Sequence, residues 1–326
     1  MIKGKIAQMT LYQRDYMTLT VEEKSIKEAM DATEKLYNTG KLRKAVNYLR
    51  YPKAVRHNLS FFPNYYLDTV DLKDETRLND LIAKFLSDLN SSSSTENTLM
   101  ANIKHNEAYF IIASILKSYD FGHHDAYIIP EFMLGNTYRV DYLIIGKNSG
   151  GYEFIFAELE NPHKNITTQT GELGATFSKG IKQVNDWKRY LAANFKTLEE
   201  TFNKYKNPTM ELPNEFKTYE PYRLHFAVVA GRRDNFNDTT RWHKRRLRST
   251  DDIEILHFDN LCDYATEKNR AYDLRLIKAI KREDAGNTPP PSFLIVSSGI
   301  KKLHVASCIM EFFKQLYCKL NDFIVS

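Results

Sequence analysis

Cysteines are scarce in this chain, and long apolar runs are missing altogether. Only three cysteines occur among 326 residues, Cys262, Cys308 and Cys318. Their odd number and wide spacing fit neither a disulfide framework nor a zinc ribbon, so we expect a reducing, cytoplasmic location. No apolar run approaches the roughly 18 residues of a membrane span, and no apolar segment of a secretory signal follows the first five residues. We therefore expect no membrane partner.

Charge of one sign is not in large excess either. The 46 Lys and Arg residues against 41 Asp and Glu residues give a net charge of +5. This balance permits nucleic-acid binding without requiring it, because a useful binding surface must be locally basic. The chain is 42% hydrophobic and 27% charged, as soluble domains are, and its 20 tyrosines and 19 phenylalanines favour a well-packed core.

Residues 138–160 are typical of two strands joined by a glycine-rich turn. The segments 138–145 and 152–160 are rich in branched and aromatic residues, and three glycines lie between them. Because strand side chains alternate, Glu158 and Glu160 leave the second strand on the same, buried face. Two carboxylates there are costly unless something positive lies against them, and a divalent cation is the natural candidate.

A helix is predicted over 175–195, because its apolar residues recur at intervals of three and four. These residues are Phe177, Ile181, Val184, Trp187, Leu191 and Phe195. Gln183 lies at the border of this apolar stripe, with Lys179 one turn earlier on the same flank, whereas Lys182 points away.

The order of these features resembles the core of the PD-(D/E)xK nucleases: a strand with Asp141, a hairpin, a strand ending Glu-x-Glu, and a helix with a flanking Gln. More narrowly, the chain is similar to the Shedu family of anti-phage defence nucleases over about residues 105–265. The similar segments are 141–144, 157–162, 182–187, 228–232 and 255–261. The resemblance implies an α/β fold, with a PD-(D/E)xK core of mixed sheet flanked by helices.

The same resemblance implies a metal-dependent DNA endonuclease of an anti-phage defence system, acting on double-stranded DNA. Mg²⁺ or Mn²⁺ would be held by Asp141, Glu158 and the backbone carbonyl of Leu159. Gln183 would orient a water or a phosphate oxygen. The first core helix of such enzymes often carries another acid, which makes Glu107 a candidate ligand.

One position departs from the family pattern, which is Glu-x-Lys where this chain has Glu158-Leu159-Glu160. Glu160 could be a general base that takes a proton from the attacking water. Lys179 could instead supply the missing lysine from the helix. The third alternative is a catalytically lapsed nuclease fold that acts only as a nucleic-acid-binding or scaffold module.

The chain divides at a serine-rich segment, 91–97, which has no packing pattern and is predicted to be a linker. It separates a mainly helical region, 1–95, from a nuclease-like domain, 96–285. The resemblance gives the first region a sensing or regulatory role. A C-terminal region, 286–326, is predicted to be a helical brace or the contact of a homo-oligomer.

Several local elements follow from the pattern of residues. Thr20 and Glu23 form a predicted capping box at a helix start. Further helices are predicted over 41–50, 98–120 and 238–247, the last with Asp238 as its cap, and further strands over 128–133, 223–230 and 253–258. The last two strands should be parallel, because a helix separates them.

Basic residues are densest around the helix over 238–247. We expect this cluster to hold the phosphate backbone of DNA, with Trp242 available for stacking on a base. The arginines concerned are Arg232, Arg233, Arg241, Arg245 and Arg246. The alternative is that these charges form only a solvated helix face.

Overall fold

A five-stranded mixed sheet, flanked by helices, lies at the centre of the structure. The computed structural model describes residues 11–36, 50–122 and 124–266. The strands are β1 (Asp125–Leu134), β2 (Tyr138–Asn148), β3 (Gly151–Leu159), β4 (Leu224–Val229) and β5 (Ile253–Leu256). They lie side by side in chain order; β1, β2 and β3 pair antiparallel, and β3, β4 and β5 pair parallel. The predicted mixed sheet and the parallel pairing of its last two strands are confirmed.

The helices on and around this sheet are mostly short. They are α1 (Val21–Leu36), α2 (Lys53–Leu59), α3 (Glu75–Asn90), α4 (Glu96–His105), α5 (Tyr109–Ala113), α6 (Ala175–Asn194), α7 (Leu198–Tyr205) and α8 (Asp238–Asp251), followed by helical residues at 258–266. Among the described residues, none of the helices has the length and apolar character needed to cross a membrane. Residues 41–49 of the helix predicted over 41–50, and all of 286–326, lie outside the described residues.

The middle of the sheet is covered on both faces, as consecutive buried residues show. Leu143, Ile144 and Ile145 on β2 are all fully buried, although their side chains alternate in direction. On one face α6 packs against β3 and β4, and its buried residues include four of the six predicted stripe positions: Phe177, Val184, Trp187 and Leu191. Burial of this stripe therefore fixes which flank of α6 lies beside the end of β3.

The hydrophobic core continues across the serine-rich segment. Apolar residues of α3 belong to the same buried cluster as those of the sheet; they are Leu78, Ile82, Phe85 and Leu89. The serines form a tight turn between α3 and α4, and Thr95 caps α4 by accepting a hydrogen bond from the Thr98 amide at 3.3 Å. The division placed at residue 95 therefore does not separate two hydrophobic cores.

The helix starts follow local hydrogen-bonding chemistry. The predicted capping box is confirmed: the Thr20 amide donates to Glu23 Oε2 at 2.9 Å, and the Glu23 amide donates to Thr20 Oγ1 at 3.2 Å. The prediction that Asp238 caps α8 was wrong. Asn237 is the cap, because its side-chain oxygen accepts from the Thr240 amide at 2.9 Å and leaves Asp238 in the first turn.

The single helix predicted over 98–120 was also wrong. α4 ends in a Schellman motif, in which the amide of Ala108 donates to Ile103 O at 2.9 Å and the amide of Glu107 donates to Lys104 O at 3.3 Å. Glu107 takes a positive φ of 51° at the position where this motif needs a left-handed residue. The chain turns there before it continues into α5.

We predict that the two tryptophans differ sharply in what they contribute to stability. Trp187 on α6 is fully buried, whereas Trp242 on α8 is 53% exposed. Trp187→Ala should lower the free energy of unfolding by about 3–5 kcal/mol, because it removes a large packed side chain and leaves a cavity. Trp242→Ala, the matched control, should change it by less than about 0.5 kcal/mol. Urea denaturation followed by circular dichroism measures both, and equal effects would contradict this account of the core.

Candidate active site

Three carboxylates gather where β3 ends and β2 begins. Tyr142 on β2 is paired with Ala157 on β3. Because the two strands are antiparallel, the next residues, Asp141 and Glu158, lie opposite each other. The backbone amide of Leu159 donates to Asp141 Oδ2 at 2.8 Å, which ties the first acid to the second strand. Glu160 comes directly after β3, and its amide still donates to Val229 O on β4 at 2.8 Å. The predicted juxtaposition of Asp141, Glu158 and Glu160 is therefore present in the structure.

Burial sets the electrostatics of these acids. Glu158 is only 4% exposed, and desolvation is the main cause that raises its pKa, followed by the negative charges of Asp141 and Glu160. Burial also raises the pKa of Asp141, although the hydrogen bond from the Leu159 amide and the charge of Arg139 oppose the shift. The pKa of Glu160 is raised for the same leading reason, its burial.

Two buried carboxylate oxygens lack a well-formed hydrogen bond within the described part of the chain. Glu158 Oε2 has no partner there, and Glu160 Oε1 has only a long ion-pair contact with Lys179. Unsatisfied buried acceptors are rare in proteins and need a physical explanation. Oxygen donors that are negatively charged and held close together are the ligands that Mg²⁺ and Mn²⁺ prefer, so the donor set fits such an ion.

One positive charge reaches this cluster from α6. The Nζ of Lys179 lies 3.4 Å from Glu160 Oε1, and its charge partly opposes the rise that burial causes in the pKa values of Glu158 and Glu160. The close approach of the helix depends on Gly180, where an added Cβ would lie 3.0 Å from Glu160 Cγ. Lys182, by contrast, pairs with Asp186 at 3.1 Å, as expected for a residue that points away.

Gln183 lies one turn after Lys179 on α6 and is half-buried. This position agrees with the predicted border of the apolar stripe. The structure therefore brings Lys179 to the acids and leaves Gln183 on the same flank of the helix.

Glu107 is not part of this cluster, which corrects its assignment as a metal ligand. It lies at the end of α4 and lines a small cavity together with Tyr12, Asp71 and Arg77. The acid of α4 that acts on the site is Glu96 in the first turn, whose negative charge raises the pKa of Asp141 and of Glu160. Glu96 was missed because it falls within the segment interpreted as a linker; Thr95, a favourable N-cap, was the signal for a helix start.

Most of the predicted DNA-binding arginines are already paired with acids. Arg232 Nη2 lies 2.8 Å from Asp259, Arg233 pairs with Asp263 at 2.5 Å, and Arg241 Nη1 lies 2.8 Å from Asp238. Pairing reduces the positive charge that these three residues offer to a phosphate.

Arg245 and Arg246 form the exposed part of the basic cluster on α8. Neither has an ion pair within the described part of the chain, and the Arg246 guanidinium lies over the ring of Trp242 at 5.6 Å. Two further basic residues of this helix, Lys244 and Arg248, share one acid, since both pair with Glu254. The unpaired charge of α8 is therefore concentrated at Arg245 and Arg246.

A second set of potential metal ligands lies far along the chain from this site. His57, Asp68 and Asp71 have ligand atoms within 4.8 Å of one another. Arg56 donates to Asp68 at 2.8 Å, and Lys53 Nζ lies 2.5 Å from Asp71. Because two cations already balance the two carboxylates, this buried cluster is explained as a structural ion-pair network.

Comparison with known families gives one result. The C-terminal family model of Shedu protein SduA matches residues 93–262, which is 170 of 326 residues and so more than half of the chain. This chain belongs to the Shedu SduA family. Membership points to a role in anti-phage defence, and the matched range contains Glu96, Asp141, Glu158, Glu160 and Lys179. A search of curated proteins found no match.

We predict that the stability of the metal-free protein falls as the pH rises. An acid whose pKa is higher in the folded than in the unfolded state keeps its proton longer when folded, so ionisation above the ordinary value of 4.5 destabilises the fold. Glu158→Gln should therefore stabilise the metal-free protein at about pH 8 by on the order of 1 kcal/mol and flatten the pH dependence. Thermal unfolding with a chelator, between about pH 5 and pH 9, measures this. A Glu158→Gln variant that is destabilised at about pH 8, or that keeps the slope of the unaltered protein, would contradict it.

Proposed function

We propose that this protein is a metal-dependent DNA endonuclease that acts in anti-phage defence by hydrolysing phosphodiester bonds. The observation that carries the proposal is the buried group of Asp141, Glu158 and Glu160, in which Glu158 Oε2 has no partner among the described residues and Glu160 has only the long contact with Lys179. Family membership supplies the biological context. A buried group of like charges lowers stability and is hard to explain as a structural feature, since no packing requirement calls for it.

Asp141 and Glu158 would hold Mg²⁺ or Mn²⁺ at the end of β3. Such an ion would polarise the phosphate and lower the pKa of a bound water. The hydrogen bond from the Leu159 amide orients the Asp141 carboxylate before any ligand arrives. Glu96, in the first turn of α4, adds a further negative charge on the side of Asp141 and Glu160.

Glu160 and Lys179 together would handle the proton of the attacking water. The pKa of Glu160 is raised by burial, which makes its carboxylate a better proton acceptor near neutral pH than an exposed carboxylate. Lys179 Nζ, 3.4 Å away, holds this carboxylate in place and supplies a positive charge close to the position of the family's lysine. We assign the base to Glu160 and a supporting role to Lys179. Gln183 would orient a water or a phosphate oxygen.

A catalytically lapsed nuclease that only binds nucleic acid is the second candidate. The specific observation in its favour is Glu160 itself, because a carboxylate cannot replace the positive charge of the family's lysine. The two candidates make the same prediction for cation binding and differ in cleavage.

DNA would contact the exposed face of α8. Arg245 and Arg246 offer charges that no acid neutralises within the described residues, and Trp242 beside them offers a ring for stacking. Arg232, Arg233 and Arg241 contribute less, because each is paired with an aspartate.

We expect Glu160→Gln to reduce cleavage of supercoiled plasmid with Mn²⁺ by about 100-fold, because it removes the proton acceptor while keeping size and hydrogen bonding. Lys179→Ala should reduce cleavage less. Lys182→Ala is the matched control, a neighbouring lysine of α6 paired with Asp186, and it should leave the rate unchanged.

Asp141→Asn shows whether the measured activity belongs to this site, and it should abolish cleavage. If the unaltered protein binds Mn²⁺ without cleaving and Glu160→Lys gains cleavage, the lapsed-nuclease candidate is correct. Full activity of Asp141→Asn would remove this site from the reaction altogether.

We expect Arg245→Ala and Arg246→Ala each to weaken binding to duplex DNA of any sequence. Each change should also reduce the slope of log K against log salt by about 0.9, because one fewer counterion is released. Fluorescence anisotropy in an Asp141→Asn background measures binding without cleavage. Arg189→Ala on α6, an exposed arginine paired with Asp186, is the control of equal charge change. If all three variants have the same salt slope as the background protein, α8 presents only a solvated face.

A further inference from the structure

Arg232 is engaged on two sides by contacts within the protein. Its Nη2 and Nε donate to the Asp259 carboxylate at 2.8 and 3.1 Å. Its Nη1 donates to the backbone carbonyl of Leu89 at 3.1 Å, and its Nη2 donates to the Asn90 side chain at 3.0 Å. Leu89 and Asn90 are the last residues of α3, so one guanidinium joins the loop after β4 to the end of a helix 142 residues earlier in the chain.

A second contact reaches the end of α3 from the loop after β3. The Nε2 of His163 makes a hydrogen bond with the backbone carbonyl of Ser91, one residue after α3, at 2.8 Å. The two loops are themselves joined, because the amide of Gly231 donates to Asn161 O at 3.3 Å. The loops that leave the carboxyl ends of β3 and β4 therefore hold the end of α3 between them.

The turn from α3 to α4 is closed by its own hydrogen bonds. Ser94 Oγ donates to the backbone carbonyl of Asp88, and the Asn102 side chain donates to the Asp88 carboxylate at 2.9 Å. Ser94 is buried and Thr95 caps α4 immediately afterwards. Because this turn is closed by hydrogen bonds, the position of the first turn of α4 depends on the position of the last residues of α3.

The first turn of α4 lies close to β2, the strand that carries Asp141, and the charge of Glu96 acts on Asp141. Asn97 and Met100 line a cleft together with Tyr142, the strand neighbour of Asp141. Glu96 precedes Asn97 in this turn. The place of Glu96 relative to Asp141 therefore depends on how α4 is anchored.

We infer that Arg232 is a positioning residue for the active site, which anchors the α3–α4 turn to the ends of β3 and β4 and thereby holds Glu96 beside Asp141. Without its guanidinium, Leu89 O and the Asn90 side chain lose their donors, and Asp259 loses its partner. The inference rests on the proposed function for the role of Glu96, whereas the anchoring itself is a property of the metal-free protein. Arg232 is therefore assigned to this anchoring role and not to DNA binding.

Hydrogen exchange of the metal-free protein tests the anchoring directly. Arg232→Ala should speed exchange of the amides at 91–105 by about 10-fold, because the turn loses two hydrogen bonds to its end, and should leave α6 unchanged. Arg233→Ala is the matched control: within the described residues, the hydrogen bonds of this adjacent arginine go to Asp259 and Asp263 and not to α3. It should leave residues 91–105 unchanged.

Asn90→Ala provides a milder variant in which the Arg232–Asp259 pair stays intact. It should speed exchange at 91–105 in the same direction by a smaller factor, since one contact is lost instead of two. Unchanged exchange in both Arg232→Ala and Asn90→Ala would overturn the inference, and so would an increase spread evenly over the whole chain.

Calorimetric titration with Mn²⁺ tests the link to Glu96. Arg232→Ala should raise the Kd for Mn²⁺ by about 10-fold, as loss of a supporting contact around a metal site does. The same change made in a Glu96→Gln protein should add little, because the residue being positioned is already lost. Additive effects would overturn the positioning of Glu96. If the unaltered protein binds no Mn²⁺, the proposed function fails, and the exchange experiment still decides whether Arg232 anchors α4.

Discussion

Mutual repulsion among buried carboxylates is the constraint on which this site depends. Asp141, Glu158 and Glu160 lie together at the end of a strand whose preceding residues are apolar and fully buried. Each carboxylate loses hydration, and each raises the cost of ionising its neighbours, so their pKa values rise. The surrounding fold must supply enough stability to keep these groups in place without a bound cation. The continuous core of the sheet, α3, α5 and α6 provides it.

The helices around the acids bring a positive charge and a further negative charge close to them. α6 approaches β3 closely because position 180 is glycine, and this closeness delivers Lys179 to Glu160. On the other side, α4 delivers the negative charge of Glu96. The charges of Lys179 and Glu96 thus shift the pKa values of the acids in opposite directions. Both helices bury apolar residues against the core.

Positive charge in this protein serves different purposes at neighbouring positions. Arg232, Arg233 and Arg241 are close in sequence to Arg245 and Arg246, and all five belong to the basic cluster read from the chain. In the folded protein Arg232 bridges an aspartate and the end of α3, while Arg245 and Arg246 are exposed without an acidic partner among the described residues. A count of charges along the chain does not distinguish these roles, since partners such as Asp259 and Leu89 come from distant segments.

Periodic and short-range features were determined by the sequence alone. The strands around Asp141 and Glu158, the stripe of α6 and the capping box at Thr20 rest on residues within a few positions of one another, so local physics suffices. Tertiary structure decided that the charge of Glu96 acts on Asp141 and Glu160, whereas Glu107 lines another cavity. It also decided that the serine-rich segment is a turn within one core, and that Arg232 binds α3. The last of these outcomes depends on a contact between residues 143 positions apart, which no local pattern encodes.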